Sequence, residues 1–397
     1  MTEQELFAVR RALIQAFLRE NRYDGVLLSR ADNFAMATGG KRNYVGTGSD
    51  LGAGSLFIGR DGRAAFIGNH IETPRHMGEE LSKLDCEFME FPWFAGNAAE
   101  RARREFPGEL VSDDGALGKN VHSEMAVLRS LLTEAEQHKY RQLGAFAAEA
   151  MEEVLAAVEP DMPEADIAAL LVAAGARRRC RVPVALVAAD ERIARYRHPL
   201  PTEAPLWRGA LKERRVQRYV MVVAGFVREG LVVSMTRFKR VSDLPEEVMD
   251  AYNRICAVDA CMQQATEPGA TLGAVFQKCQ EAYRQFGFAE NEWHHHHQGG
   301  TTGYAGRTCK GAPDSTFPVL DTHWPEQAAE ILGHGVEFGG AFAWNPSAPG
   351  VKSEDTFLLL PNGAREIITR TPGLPQAPVA EILGAPTEVV KSGMAGA

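Results

Sequence analysis

The sequence predicts a mixed α/β fold in two parts: an α/β N-terminal unit, then a larger α+β unit. Three observations predict it. Strand and helix patterns alternate up to about residue 125, the mark of an α/β unit. A long amphipathic pattern over 128–158 then changes the rhythm. Beyond it the chain is rich in hairpin signals, with two more helical patterns between them.

Taken in order, residues 1–20 carry an amphipathic helical pattern, and 24–29 (DGVLLS) a short buried strand. GSLFIG and AAFIG flank Arg60-Asp61-Gly62-Arg63, a hairpin signal with glycine in the turn. CEFMEF (86–91) alternates as a strand, while EELSKL and AAERARREF are helical. The 128–158 helix contains a capping box from Thr133 to Glu136 and ends at Glu159-Pro160. A second helix covers 164–179. VPVALVA is a strand, and RYVMVVAGFV with GLVVSMTRF forms a hairpin around Arg228-Glu229-Gly230. Helices follow over 244–266 and 272–287. FAWNP, SEDTFLLLPNG and REIIT close the chain as strands. The expected units are 1–130, 131–372 and a Pro/Gly/Ala-rich tail, 373–397, expected to pack poorly.

The 397 residues carry a net charge of 43 − 52 = −9, and 45% are hydrophobic, enough for a sizeable core. The acidic balance disfavours nucleic acid as a partner. No run approaches the roughly 20 apolar residues of a membrane helix. Six scattered cysteines without a CxxC pair suit a reduced, cytoplasmic protein, and Cys256 and Cys261 are a poor metal pair. GTGSDLG (46–52) and GALGK (115–119) fail the spacing of nucleotide-binding loops, and no G-x-S-x-G elbow is present.

The chemistry-bearing residues gather in four segments of the second half. They are Tyr196-Arg197-His198-Pro199, then Ser234-Met235-Thr236-Arg237, then WHHHHQGGTTGY (293–304), then Ala343-Trp344-Asn345-Pro346 leading to Lys352-Ser353-Glu354-Asp355-Thr356. In order and spacing these resemble the creatinase/aminopeptidase P/prolidase superfamily, in a metal-ligand-deficient form. The resemblance implies a creatinase-like α/β N-terminal domain and an α+β pita-bread catalytic domain. Metallopeptidases of that superfamily hold two divalent ions with two Asp, one His and two Glu. At the matching positions this chain has Val223, Ser234, His297 or His296, Asn345 and Glu354. Three carboxylates are gone, and hard dications need anionic oxygen. No metal and no cofactor is therefore expected. The His294–His297 run could capture a transition metal through alternate imidazoles. The plainer expectation is that one or two of the four line a pocket and the others are packed or solvated.

What remains predicts a polar pocket. His198 is the expected acid/base, as the resemblance also implies, with His297 and Glu354 as catalytic partners. Glu354 is expected to hold a cationic substrate group or to work as a protonated acid with a raised pKa, unless a structural ion pair to Arg237 claims it. Substrate contacts are expected from His296, Gln298, Ser234, Asn345, Arg237, Tyr304 and Arg307, the last on a substrate carboxylate. Arg42 and Tyr44, with Lys41, are expected to reach an active site across a dimer, as the resemblance implies. The predicted function is a creatinase-like, metal-independent enzyme acting on a small polar metabolite, most simply by hydrolysing a C–N or amide-like bond. Lyase or cyclase chemistry in the same pocket is a variant. The alternatives are a non-catalytic binder of peptides or proteins and an Xaa-Pro metallopeptidase. The expected partners are a small-molecule substrate and a second copy of the chain.

Overall fold

The computed structural model describes residues 1–202 and 213–396. Thr2 and Glu5 form a capping box that starts the helix Glu3–Asn21. The N-terminal sheet is built from β1 (Gly25–Arg30), β2 (Leu51–Gly59), β3 (Ala64–Asn69), β4 (Glu87–Phe91) and β5 (Leu110–Ser112), in the order β4-β3-β2-β1-β5. The β2–β3 hairpin turns at the expected Arg60–Arg63 segment.

The second half begins with β6 (Leu132–Thr133) and the helix Glu134–Ala157. This helix starts six residues later than its periodicity suggests, because the Thr133 hydroxyl accepts from the Glu136 amide and closes the capping box there. The apolar residues before it form a separate short helix, Ala126–Ser130. Glu136 also pairs with Arg10 at 2.5 Å, both fully buried, and accepts from the Tyr304 hydroxyl at 2.6 Å. One carboxylate thus ties the first helix, the long helix and the loop after β10 (Gly299–Thr302) together.

β7 (Arg181–Ala189), β8 (Tyr219–Arg228) and β9 (Leu231–Arg240) form a three-stranded antiparallel sheet. The helices Glu246–Ala265 and Leu272–Gln285 come next. The last sheet runs β11-β10-β12-β15-β16, with β6 also on β12. Its members are β10, β11 (Cys309–Lys310), β12 (Phe338–Trp344), β15 (Asp355–Leu359) and β16 (Arg365–Ile367). A small hairpin, β13 (Ser347–Ala348) with β14 (Val351–Lys352), lies between β12 and β15. Among the described residues no helix is long and apolar enough to cross a membrane.

Two expectations are corrected and two helices are added. EELSKL is not a regular α-helix: a wide helical turn covers His76–Glu80 and ends at Leu81. The helices Ala31–Thr38 and His323–Leu332 lie in stretches where no element was expected. The tail is not poorly packed. Val379, Val389 and Met394 are buried, and Lys391, 2% exposed, pairs with Asp259 at 2.5 Å and Asp355 at 2.7 Å. Two buried carboxylates need that cation, which fixes the tail against the body.

Candidate active site

The β8–β9 hairpin sets Val223 opposite Thr236 and Gly225 opposite Ser234. Val223 is buried in the apolar cluster that includes Phe238 and Trp344. The Thr236 amide donates to the Glu354 carbonyl at 3.1 Å, which brings the strand before β15 onto this hairpin. Glu354 is 2% exposed. Its carboxylate accepts from the Thr236 hydroxyl at 2.7 Å, from Arg307 Nη2 at 2.5 Å and from Asn345 Nδ2 at 3.4 Å. Lys352 Nζ lies 3.4 Å from its other oxygen. Arg307 Nη1 also donates to Ser234 Oγ at 3.2 Å. Burial alone would raise the Glu354 pKa, but Lys352, Arg307 and the Thr236 hydrogen bond outweigh it and pull it down to about 2. Lys352 is itself lowered, by burial first and by repulsion from Arg307, against the pull of Glu354.

Beside this cluster three imidazoles converge. His296 Nε2 and His198 Nε2 are 3.0 Å apart, and ring nitrogens of His198, His296 and His297 all lie within 4.8 Å of one another. The His296 and His297 rings stack at 4.4 Å. Burial lowers all three pKa values, aided by the nearby cations Lys352, Lys310 and Arg307. His297 falls to about 3 and His296 lower still. All three rings are therefore neutral near pH 7. His296 is buried and His198 is exposed.

The two glycines after the histidines have a backbone reason. Gly299 sits at φ +92°, and a Cβ there would lie 2.2 Å from the Ala343 carbonyl oxygen; at Gly300 it would lie 1.9 Å from that of Cys309. β10 is sandwiched between β11 and β12, so only glycine fits.

The fold brings together His198, His296, His297, Ser234, Asn345, Arg307 and Glu354. It does not bring in the rest. Arg237, 2% exposed, pairs with Asp355 at 2.6 Å and donates to Thr371 and to the Glu354 backbone carbonyl, so it is placed neither as a substrate contact nor as the ion-pair partner of the Glu354 carboxylate. Gln298 is buried, accepting from Tyr283 and donating to the carbonyls of Trp293 and His296 at 2.9 and 2.7 Å; it holds the histidine loop. The Tyr304 hydroxyl is spent on Glu136. Arg42 pairs with Glu80, and Tyr44 lies under Arg181. With Lys41 they line a separate cleft of about 880 Å³. Glu354 as a protonated acid is corrected too, because two cations hold it ionised. Lys352 was missed as a site residue. The signal was there: Lys352 and Glu354 are two apart on an extended segment and so share a face.

The model of metallopeptidase family M24 matches residues 138–356, more than half of the sequence. The chain belongs to metallopeptidase family M24. M24 membership supports a peptidase-type hydrolase acting on C–N bonds. Solved structures agree on the fold. A prolidase from Pyrococcus furiosus superposes with a TM-score of 0.64 at 16% identity, covering 90% of this chain and 99% of that one. An Xaa-Pro dipeptidase from Bacillus anthracis gives 0.64 at 17%, covering 92% and 97%. The N-terminal domain of FACT complex subunit SPT16 from chickpea gives 0.62 at 10%, covering 96% and 99%. At such identities the likeness speaks for the fold alone, an N-terminal domain followed by the pita-bread domain. No curated protein matches the sequence.

The M24 metal pair can be tested against the residues present. The five matching positions hold an alkyl group, a hydroxyl, an imidazole, a carboxamide and one carboxylate, and that carboxylate is already in contact with a guanidinium and an ammonium. This donor set does not fit two hard dications, which need several anionic oxygens and no fixed cation between them.

Proposed function

We propose that the chain is a metal-independent hydrolase of a C–N or amide-like bond in a small polar substrate bearing a carboxylate. One observation carries the reading: Arg307 and Lys352 flank Glu354, at 2.5 and 3.4 Å, where an M24 peptidase would place its dications. Fixed cations can supply what those ions supply electrostatically, offsetting the charge that develops on the carbonyl oxygen as the tetrahedral intermediate forms. Glu354 is the anchor of both cations.

Proton transfer falls to the imidazoles. Neutral, exposed His198 takes a proton from the attacking water. The water oxygen bonds to the carbonyl carbon, the C–N bond breaks, and the proton passes from the imidazolium to the leaving nitrogen. His296, 3.0 Å away, fixes the His198 tautomer through one shared hydrogen bond. Two cations against one carboxylate leave the pocket net positive, which favours an anionic substrate group on Arg307. A guanidinium substrate of the creatinase kind is disfavoured, because Glu354 is already paired. The same reading takes the protein as a cytoplasmic homodimer; six cysteines without a disulfide suit a reducing compartment.

The test is a screen of tag-free protein in chelator against N-acyl amino acids, lactam acids, guanidino acids and Xaa-Pro dipeptides, scored by thermal shift and amine release. The expected result is chelator-resistant turnover of a carboxylate-bearing compound, lowered by about 10²- to 10⁴-fold in His198→Ala. Manganese-dependent Xaa-Pro hydrolysis would overturn the reading. Stabilisation by long peptides without turnover would make the protein a binding module instead.

A further inference from the structure

We propose that His198, His296 and His297 form a mononuclear, all-imidazole site for a borderline transition-metal dication of the zinc class, which shares the histidine position of the M24 centre and uses none of its carboxylates. Occupation of this site would tie up the proton-carrying rings and silence the enzyme. That last consequence rests on the function proposed above; the binding does not.

The donor geometry comes first. In a tetrahedral zinc site, bonds of about 2.0–2.1 Å set neighbouring nitrogens roughly 3.3 Å apart. The His198 and His296 Nε2 atoms are 3.0 Å apart, already near one such edge, and the third ring's donor lies within 4.8 Å of both. Three donors leave a fourth position for water.

The unsatisfied atoms come second. His296 is 7% exposed, and among the described residues its Nδ1 has no hydrogen-bond partner; neither does the buried Nδ1 of His297. Buried ring nitrogens are rarely left bare, since each forfeits its hydration. His297 therefore has a lone pair free for a metal, while His296 offers the Nε2 that faces His198 and its Nδ1 lies on the other side of that ring.

Pre-organisation comes third. Gln298 clamps the loop by donating to the His296 and Trp293 carbonyls, and β10 holds it from the other side. Two of the three rings therefore sit on fixed backbone.

The chemistry of the donors selects the ion. Neutral imidazole suits zinc, cobalt, nickel and copper, whereas manganese, magnesium and calcium want carboxylate oxygen. The cations Lys352, Arg307 and Lys310 act on these rings and oppose a dication. The site is thus weaker than a dedicated zinc centre and reversible.

Cobalt(II) is the probe, because a tetrahedral complex gives strong visible absorption. Chelator-treated, tag-free protein should take up one cobalt per chain with that spectrum, displaced by zinc and indifferent to manganese. His198→Ala and His296→Ala should each weaken binding at least tenfold. His198 is exposed, so its variant serves even if His296→Ala does not fold. His294→Ala/His295→Ala, which removes the outer half of the run, should bind as the wild type does. Wild-type affinity in His198→Ala would overturn the site, as would loss of binding in that control. If cobalt binds as described while turnover of a screened substrate survives saturation, the inhibition is refuted and the proton-carrier role of the imidazoles falls with it.

Discussion

Replacing Glu354 by glutamine keeps the side chain's shape and removes its charge. The carboxylate is 2% exposed and holds Lys352, equally buried, and Arg307, whose side chain is 16% exposed. Removing one partner of a buried ion pair costs about 3–5 kcal/mol, because the other charge is stranded. Arg307 can turn toward water, so it contributes little to the loss. Lys352 cannot, but burial already depresses its pKa, and shedding a proton limits the penalty. The lower end, about 3 kcal/mol, is expected, roughly a hundredfold in the unfolding constant. Urea denaturation in chelator at pH 7, followed by circular dichroism, measures it. In Lys352→Met/Glu354→Gln the stranded ammonium is gone, so the double variant should recover at least about 1 kcal/mol relative to the sum of the singles. A carboxylate waiting for dications behaves oppositely: its neutralisation relieves strain. A Glu354→Gln protein as stable as the wild type, or more so, refutes the reasoning.

Other predictions follow from the same geometry. Lys391→Ala leaves Asp259 and Asp355 buried without their cation and should cost about 3–5 kcal/mol by the same denaturation assay, although the residue lies in the C-terminal tail. Gly300→Ala forces a Cβ onto the Cys309 carbonyl and should destabilise by about 1–3 kcal/mol or prevent folding, seen as loss of soluble protein; a neutral effect would contradict the β10 register. Acid stability has a defined sign. The imidazoles protonate near pH 6.5 when unfolded but resist in the folded chain, His297 down to about 3. The unfolded state therefore binds more protons in that window, and stability falls as pH drops from about 6.5 toward 3, by up to about 1.4 kcal/mol per pH unit for each ring. His297→Gln should flatten that slope, and an unchanged slope would sink the assignment.

Much of the fold was legible. Hairpins at Arg60–Arg63 and Arg228–Gly230 announce themselves by turn glycines between apolar runs, and the Thr133–Glu136 capping box set the start of the longest helix more accurately than its periodicity did. The short helix His323–Leu332 had no such signal. The site was read through its losses: by the resemblance, Val223, Ser234 and Asn345 stand where carboxylates are expected. What filled the gap was not. Arg307 was expected on a substrate carboxylate, and only the folded chain brings its guanidinium 2.5 Å from Glu354. Arg237 next to Thr236 looks like the obvious partner, yet neighbouring residues on a strand point to opposite faces, so Thr236 meets Glu354 while Arg237 meets Asp355. The tail misled for a related reason: composition cannot show that Lys391 is the counter-ion of two distant aspartates.

Manganese binding is the most direct test of the idea that fixed cations have replaced the M24 metal pair. Tag-free protein, stripped with chelator and dialysed against excess manganese(II), should retain no stoichiometric manganese by elemental analysis, and its melting temperature should not move. Two manganese ions per chain, with a clear rise in melting temperature that chelator reverses, would contradict the account.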